Sequence, residues 1–196
     1  LALTVAEGRA MVDATRRYNK VLQTGSMQRS WPEFRQTVEL IRNGYIGEIK
    51  SIKVNVGGPP VPYTLPAEPI PDSMNWDLWV GPNTRPANFN KDLAPLTLTE
   101  VWANWRGYKE FGGGGMTDWG AHMFDIVQWA LDKDDSGPVS VVPPNDKDVK
   151  WLTYTYNNGI TVTTEDFELK NAVRFIGTKG QIDIQRRNLV TSDPAL

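Results

Sequence analysis

Two turn signals in the second half of the chain do most to constrain its fold. The first is Asn-Asn-Gly at residues 157–159, and the second is Gly-Thr-Lys-Gly at residues 177–180. Strands joined by turns this short pair antiparallel, and such a sheet usually buries one face against helices. The sequence therefore predicts that the second half of the chain is an antiparallel meander with a helix laid against one face. The predicted strands cover residues 139–142, 151–156, 160–167, 172–176 and 181–185.

The stretch over residues 112–132 predicts a helix that follows four glycines and carries the only histidine of the protein. Asp118, His122 and Asp125 are spaced i, i+4 and i+7, which places them on one face of the helix. The glycines allow another backbone or an anionic group to approach the start of the helix closely. The opposite stripe is apolar and is predicted to pack; it consists of Trp119, Met123, Ile126, Val127 and Ala130.

The polar face of this helix is open to three interpretations from the residues alone. An imidazole that titrates near neutral pH suits general acid–base catalysis. A histidine close to carboxylates can also be a hydrogen-bonded surface pair without a chemical role. The spacing Asp-x3-His-x2-Asp offers three metal ligands, but the lack of cysteine and of a second histidine argues against a metal site.

The first half of the chain is predicted to contain two helices, two strands and one long loop. A Ser/Thr-x-x-Glu capping box stands at Thr4 and again at Ser30, and Pro32 suits the first turn of the second helix. The predicted elements are a helix over residues 5–18, a strand over 21–27, a helix from 30 to 44, a half-buried strand over 48–56, and a proline-rich loop from 57 to 95 that contains the turn 75–82.

Composition narrows the classes of partner. The chain has 196 residues, with 21 basic and 23 acidic side chains and a net charge of −2. This balance argues against nucleic acid and against an anionic membrane surface. Eight tryptophans, six tyrosines and six phenylalanines favour a large packing surface or a site for a sugar-like ligand. Because an uncovered sheet face meets solvent or another subunit, we expect a homo-oligomer formed through the sheet.

Several motifs in this order resemble those of the Gfo/Idh/MocA oxidoreductase family. The resemblance covers nearly the whole chain. It rests on the helix and strand of residues 3–29, the turn into a strand at 39–49, Trp76-x2-Trp79-x-Gly81-Pro82, Trp105-Arg106, Gly113-Gly114-Gly115-Met116-x-Asp118-x3-His122-x2-Asp125-x3-Trp129, and Gly177-Thr178-Lys179-Gly180.

The resemblance implies an α+β fold with an open, mostly antiparallel sheet and helices on one face, and a division into two domains. Residues 1–29 resemble the last helix and strand of a dinucleotide-binding Rossmann domain, and residues 30–196 resemble the α/β domain that binds substrate and makes oligomer contacts. The sequence departs from the family pattern because it lacks Gly-x-Gly-x-x-Gly and the Glu-Lys-Pro motif that carries the catalytic lysine. We therefore expect the chain to be a fragment of a longer enzyme and to be inactive alone.

The resemblance also implies a reaction and its residues. The intact enzyme would use NAD or NADP to take a hydride from a hydroxyl-bearing carbon of a sugar, inositol or related polyol. His122 would remove the hydroxyl proton, and Asp118 would orient its ring or bind a neighbouring hydroxyl. Residues assigned to substrate binding are Arg106, Tyr108, Lys109 and Asp125, while Gln28 and Arg29 are the candidates for contact with the dinucleotide.

Two alternative functions stay open beside this one. Some relatives resemble glycosidases that keep NAD bound and use oxidation, elimination and reduction in sequence. The chain could instead be a non-catalytic oligomerisation or binding module in which Asp118 and His122 are structural.

Overall fold

The computed structural model describes residues 2–83, 88–94, 104–145 and 147–196. The chain divides into two compact units. The first unit comprises Leu1–Thr24 and Gly58–Asp118, and the second comprises Gly25–Gly57 and Trp119–Leu196. Within the loop predicted over residues 57–95, positions 84–87 and 95 lie outside the described residues.

The second unit is built on one seven-stranded sheet. Across the sheet the strand order is β2-β3-β4-β1-β5-β6-β7, and only the β1–β4 pair is parallel among the described strands. This confirms the open, mostly antiparallel sheet. In chain order the strands are β1 (Ile49–Asn55), β2 (Ser140–Val142), β3 (Leu152–Thr155), β4 (Thr161–Thr164), β5 (Ala172–Gly177), β6 (Gln181–Gln185) and β7 (Asn188–Thr191).

The position of β1 differs from the simple meander expected for the second half of the chain. β1 inserts between β4 and β5, so these two strands are not neighbours. Ile52 and Val54 of β1 are fully buried, which suits a strand with neighbours on both sides. β7 was not predicted; it follows β6 through a tight turn in which Arg187 has a φ of 63°.

Two helices supply the apolar side of the second unit. α2 (Pro32–Arg42) buries Phe34, Val38 and Ile41, and it lies against β6 and β7. α4 (Gly114–Ala130) begins in the first unit and continues through the second. Its predicted stripe is confirmed in its later part, where the buried residues are Met123, Ile126, Val127 and Ala130.

The start of α2 corrects the expected capping box at Ser30. Ser30 belongs to a preceding 3-10 helix, Met27–Ser30, and the N-cap of α2 is Trp31, whose side chain makes no capping hydrogen bond. The reason is Pro32, which occupies the first helical position. A residue before proline is driven into the extended region, so Trp31 cannot join the helix and takes the cap position.

The two faces of the sheet have different chemistry. The strand registers place Val162, Ile52, Phe175 and Ile182 in one row across four strands, on a face where all four are buried. Phe124 of α4 contacts Tyr154 on this face with ring centroids 5.1 Å apart. The same registers place mostly hydroxyl and charged side chains on the other face: Ser51, Lys53, Thr153, Thr155, Thr161, Thr163, Arg174, Gln181 and Asp183.

The first unit opens with α1 (Val5–Arg17), and its predicted capping box is confirmed. Glu7 N–H donates to Thr4 Oγ1 at 3.2 Å, and Thr4 N–H donates to Glu7 Oε2 at 2.9 Å. None of the described residues of α1 is buried. Helix formation here therefore depends on local capping and on the arginines at positions 16 and 17 in the last turn, which favour the carboxyl end of the helix.

The strand expected over residues 21–27 is not formed. Residues 21–26 have no regular structure, and the 3-10 helix starts at Met27. Val21 is 99% exposed, and none of the seven strands pairs with this segment. An extended segment becomes a strand only when neighbouring strands satisfy its backbone groups.

The long loop of the first unit is anchored by aromatic side chains. It contains one short helix, α3 (Trp76–Val80), which is capped by Asn75 through a 2.9 Å hydrogen bond from Leu78 N–H. The rings of Trp76 and Trp79 stack 4.9 Å apart, and Phe89 contacts Trp76 edge-on at 5.5 Å. The segment predicted as an anchored turn is therefore a short helix.

No helix among the described residues is long and apolar enough to cross a membrane.

Candidate functional site

The glycine run forms a close contact between the start of α4 and the loop before it. Gly114 has a φ of 70°, and a Cβ at this position would lie 2.6–2.7 Å from the backbone of residues 58–60. Met116 N–H donates to the carbonyl of Gly58 at 3.2 Å. A side chain at position 114 would therefore force the two segments apart, which explains why glycine stands there.

The same run fixes the segment that carries Arg106. A Cβ on Gly112 would lie 2.7 Å from the Arg106 carbonyl oxygen, so only glycine allows this approach. Arg106 lies in a 3-10 helix, Asn104–Gly107, and its guanidinium stacks 4.4 Å from the ring centroid of Trp105. Its Nε is 3.4 Å from Asp118 Oδ2. The structure thus pairs two predicted site residues, Arg106 and Asp118, within the first unit.

Tyr108 and Lys109 are held mainly through their backbone. Lys109 N–H donates to the carbonyl of Val61 at 2.9 Å, and Tyr108 forms an isolated bridge with the same residue. The ring of Tyr108 contacts Tyr63 edge-on, with centroids 5.2 Å apart. Burial, and then the nearby Tyr108, raise the pKa of the Tyr63 phenol above its usual value. These contacts give residues 108 and 109 a defined position beside Arg106.

His122 lies on α4 in the second unit and is partly exposed. Its ring meets the indole of Trp119 edge-on, with centroids 6.2 Å apart and planes at 71°. Asp118 precedes His122 by four residues in the same helix. An imidazole has one hydrogen-bond donor and one acceptor in its neutral form, so this side chain can bind a hydroxyl group.

Sequence reasoning missed Arg186, whose guanidinium lies over the ring of Trp119. Arg186 lies in the turn between β6 and β7, and its guanidinium carbon is 4.3 Å from the Trp119 ring centroid. Its Nε–H donates to Gln28 Oε1 at 3.0 Å. Gln28 is only 1% exposed. Its side chain, predicted to meet a dinucleotide, is therefore committed to contacts inside the second unit.

Asp125 and Arg29 form an ion pair in the second unit. Arg29 Nε–H and Nη2–H donate to the two oxygens of Asp125 at 2.9 and 2.7 Å. Arg29 also donates to Asp134 at 2.8 and 2.7 Å. These hydrogen bonds raise the pKa of Arg29 and lower that of Asp134. Both side chains predicted to meet ligands, Asp125 and Arg29, are thus engaged with one another.

The described residues by themselves do not fit a dinucleotide or a metal ion. Gln28 and Arg29 use their side chains internally, and the one parallel strand pair, β1–β4, is not joined by a glycine-rich turn and helix of the dinucleotide-binding kind. Across the ranges that the structure describes, no group of three or more histidine and acidic side chains could hold a metal. The predicted site residues therefore comprise an imidazole, carboxylates and hydrogen-bond donors.

Comparison with known proteins defines the class of the chain. The profile described as "Oxidoreductase family, C-terminal alpha/beta domain" of the Gfo/Idh/MocA proteins matches residues 59–191, which is more than half of the chain. The chain therefore belongs to the Gfo/Idh/MocA oxidoreductase family. No curated protein sequence matches it.

Solved structures show the same fold at low sequence identity. The WlbA dehydrogenase from Bordetella pertussis, in complex with NADH and UDP-GlcNAcA, has a TM-score of 0.55 and 17% identity over 96% of this chain and 53% of its own. The aldose-aldose oxidoreductase from Caulobacter crescentus, complexed with glycerol, has a TM-score of 0.55 and 16% identity over 96% and 49%. A super-repressor mutant of Gal80p from Saccharomyces cerevisiae has a TM-score of 0.55 and 17% identity over 97% and 48%. The chain spans about half the length of these neighbours.

Proposed function

We propose that this chain is the substrate-binding and oligomerisation part of an NAD(P)-dependent oxidoreductase that acts on a hydroxyl-bearing carbon of a sugar, inositol or related polyol. One observation carries the proposal. In a member of an oxidoreductase family, the only histidine lies one helical turn after Asp118, and Arg106 pairs with that carboxylate at 3.4 Å. The ligands in the names of two neighbours, UDP-GlcNAcA and glycerol, support a polyol-like substrate.

In this proposal His122 accepts the proton of the substrate hydroxyl. A general base must lie within hydrogen-bond reach of that proton and titrate near the working pH. Histidine is the side chain that most often has this role. Asp118, oriented by Arg106, accepts a hydrogen bond from a neighbouring hydroxyl or orients the histidine ring. Arg106, Tyr108 and Lys109 donate to the remaining hydroxyls of the polyol.

The nicotinamide cofactor is assigned in this proposal to a part of the enzyme outside these 196 residues. Residues 1–29 then end its Rossmann domain, and residues 30–196 form the substrate domain. Because the side chains of Gln28 and Arg29 are committed to Arg186 and to Asp125, their contribution to the cofactor site is backbone contact or support. Asp125 is bound to Arg29. In this proposal the substrate is therefore bound by the residues that precede Asp125, namely Arg106, Tyr108 and Lys109.

The test is mutagenesis in the full-length oxidoreductase that contains this chain. His122→Asn is expected to lower kcat by about 10²-fold or more, the usual scale for losing a general base. Asp118→Asn is expected to lower it less. Asp132→Asn is the control for loss of a carboxylate, since Asp132 lies two residues after the end of the same helix and its side chain is 83% exposed in an ion pair with Arg42. Unchanged turnover in His122→Asn would remove this residue from the mechanism.

A non-catalytic binding module is the second candidate, because one neighbour of equal TM-score is a super-repressor mutant of Gal80p. Under this alternative, no polyol is oxidised by the full-length protein, although it binds a ligand or a partner. A third outcome, bound NAD with cleavage of a glycoside and no net release of NADH, would identify the glycosidase chemistry.

We also propose that the open sheet face forms a homo-oligomer. That face is rich in threonine, and its charged residues are already paired: Arg174 with Asp183 at 2.7 Å, and Lys53 with Glu165. Attraction between the paired charges offsets part of the cost of removing them from water against a second subunit. Light scattering after size exclusion is expected to show an oligomer that Thr163→Arg dissociates. A clean monomer at micromolar concentration would contradict this proposal.

A further inference from the structure

The guanidinium of Arg186 is fixed in one orientation by three side chains of the second unit. It lies 4.3 Å from the ring centroid of Trp119 and 5.5 Å from that of Trp31. Its Nε–H donates to Oε1 of Gln28 at 3.0 Å. A guanidinium is planar, so two ring contacts and one directed hydrogen bond define both its plane and its rotation.

The anchor of this arrangement is the buried amide of Gln28. Gln28 is 1% exposed, and its Nε2 lies 3.8 Å from the sulfur of Met123 in α4. A buried amide needs a partner for its oxygen, since an unsatisfied buried polar group is destabilising. Arg186 supplies that partner. The 3-10 helix, the β6–β7 turn and α4 are therefore connected through one set of side chains.

The last contact in this series of side chains is the one between Trp119 and the imidazole of His122. Trp119 and His122 are spaced i, i+3 on α4, and residues at this spacing are neighbours on a helix surface. The indole meets the imidazole edge-on, with centroids 6.2 Å apart. Trp119 is itself only partly buried. The stacking of Arg186 on one side of the indole therefore restricts the ring that lies against His122.

We propose that Arg186 is a positioning residue for His122. By stacking on Trp119 and bonding to Gln28, it holds the indole against which the imidazole is oriented. This inference rests on the proposed role of His122 as the general base. A reaction can lose on the order of 10²-fold in rate when its base is displaced by about 1 Å from the productive position. An indole of Trp119 that is held in place therefore favours turnover by keeping the imidazole of His122 in position.

The first experiment is NMR of the only histidine, which gives a single set of imidazole signals without assignment ambiguity. In the wild type we expect an NOE between the His122 ring and the Trp119 indole, together with a ring-current shift. Arg186→Met keeps a long apolar side chain but removes the planar cation, and it is expected to weaken the NOE and move the imidazole signals. Arg187→Met is the matched control, because the adjacent Arg187 is exposed and loses the same charge.

Arg186→Lys separates stacking from charge. Lysine keeps the positive charge but lacks the planar fork and the Nε–H, so this variant is expected to shift the signals as Arg186→Met does. If Arg186→Met does not fold, the Arg186→Lys variant tests the proposal by itself. The inference is overturned if Arg186→Lys and Arg186→Met both leave the imidazole signals where Arg187→Met leaves them.

The second experiment measures turnover in the full-length oxidoreductase that contains this chain. Arg186→Met is expected to lower kcat by roughly 10- to 100-fold while KM changes by less than about twofold, because orientation of the base is lost and substrate contacts are kept. If His122→Asn abolishes turnover but Arg186→Met matches Arg187→Met, the positioning role is wrong and the function stands. If His122→Asn leaves turnover unchanged, the proposed function fails, while the NMR result still decides whether Arg186 orients the ring.

Discussion

Removing the cation of Arg29 is expected to destabilise the second unit by about 2 kcal/mol. Arg29 makes two hydrogen bonds to Asp125 and two to Asp134, all between 2.7 and 2.9 Å. Hydrogen bonds to charged groups contribute about 1.5–3 kcal/mol, and we take about 1.5 for the pair with Asp125, in which the two side chains are 30% and 25% exposed. Asp134 is 47% exposed, so its pair adds only about 0.5 kcal/mol.

The variant Arg29→Met tests this reasoning, since the methionine keeps an apolar side chain over the ring of Trp129. Urea unfolding followed by tryptophan fluorescence gives the change in free energy, and the melting temperature is expected to fall by about 4–8 °C. Arg35→Met is the control, because the Arg35–Glu39 pair is 3.6 Å long and more than 60% exposed on both sides. A loss in Arg29→Met no larger than in this control would refute the argument.

The contribution of Asp134 is expected to depend on pH. The hydrogen bond from Arg29 holds the pKa of Asp134 below its usual value. A carboxyl with a depressed pKa in the folded state stabilises the fold fully above its unfolded pKa, about 3.9, and loses that contribution as the pH falls through the folded value. The stability difference between wild type and Asp134→Asn should therefore be largest at neutral pH and vanish in acid. A difference that persists unchanged at pH 2–3 would contradict this sign.

Two further substitutions test local packing. Gly114→Ala places a Cβ within 2.6–2.7 Å of the backbone of residues 58–60 at a φ of 70°, so a loss of about 2 kcal/mol or more is expected, whereas Gly8→Ala in α1 meets nothing within 4 Å and should be neutral or stabilising by calorimetry. Tyr156→Phe removes the hydrogen bond from the phenol to Gln128 and is expected to cost about 1 kcal/mol in urea unfolding. Burial raises the pKa of Tyr156, so ultraviolet titration should show one phenol fewer ionising at high pH in that variant.

Periodicity and turn chemistry predicted most elements of this fold because those signals are local. The Asn-Asn-Gly turn fixed the β3–β4 hairpin, and the capping box at Thr4 fixed the start of α1. The position of β1 between β4 and β5 could not be predicted, because alternation identifies a strand but not its neighbours. The strand expected at 21–27 failed for the complementary reason: its β-branched and apolar residues meet no neighbouring strand in the described chain.

In the candidate site, too, contacts between residues close in sequence could be predicted, whereas contacts between distant residues could not. Asp118 and His122 were predictable because helical spacing alone places them near one another on one face. Arg106 was proposed as a site residue after the family resemblance, and it precedes the glycines in the sequence. The structure shows that the missing side chain of Gly112 lets the Arg106 segment approach the start of α4. The pairing of Arg106 with Asp118 is then a consequence of backbone geometry that the glycine run encodes.

The role of Arg186 could not be predicted from the spacing of residues in the sequence. Its hydrogen bond to Gln28 joins residues 158 positions apart, and no local pattern marks an arginine in a tight turn as different from its neighbour Arg187. Only the fold distinguishes them, because β6 and β7 turn Arg186 towards two indoles while Arg187 remains exposed. The sequence signal that could have found it lies in its partners. Gln28 and Trp31 lie next to the start of α2, and Trp119 precedes His122 by three residues in α4. A planar cation can satisfy a buried amide oxygen and two ring faces together.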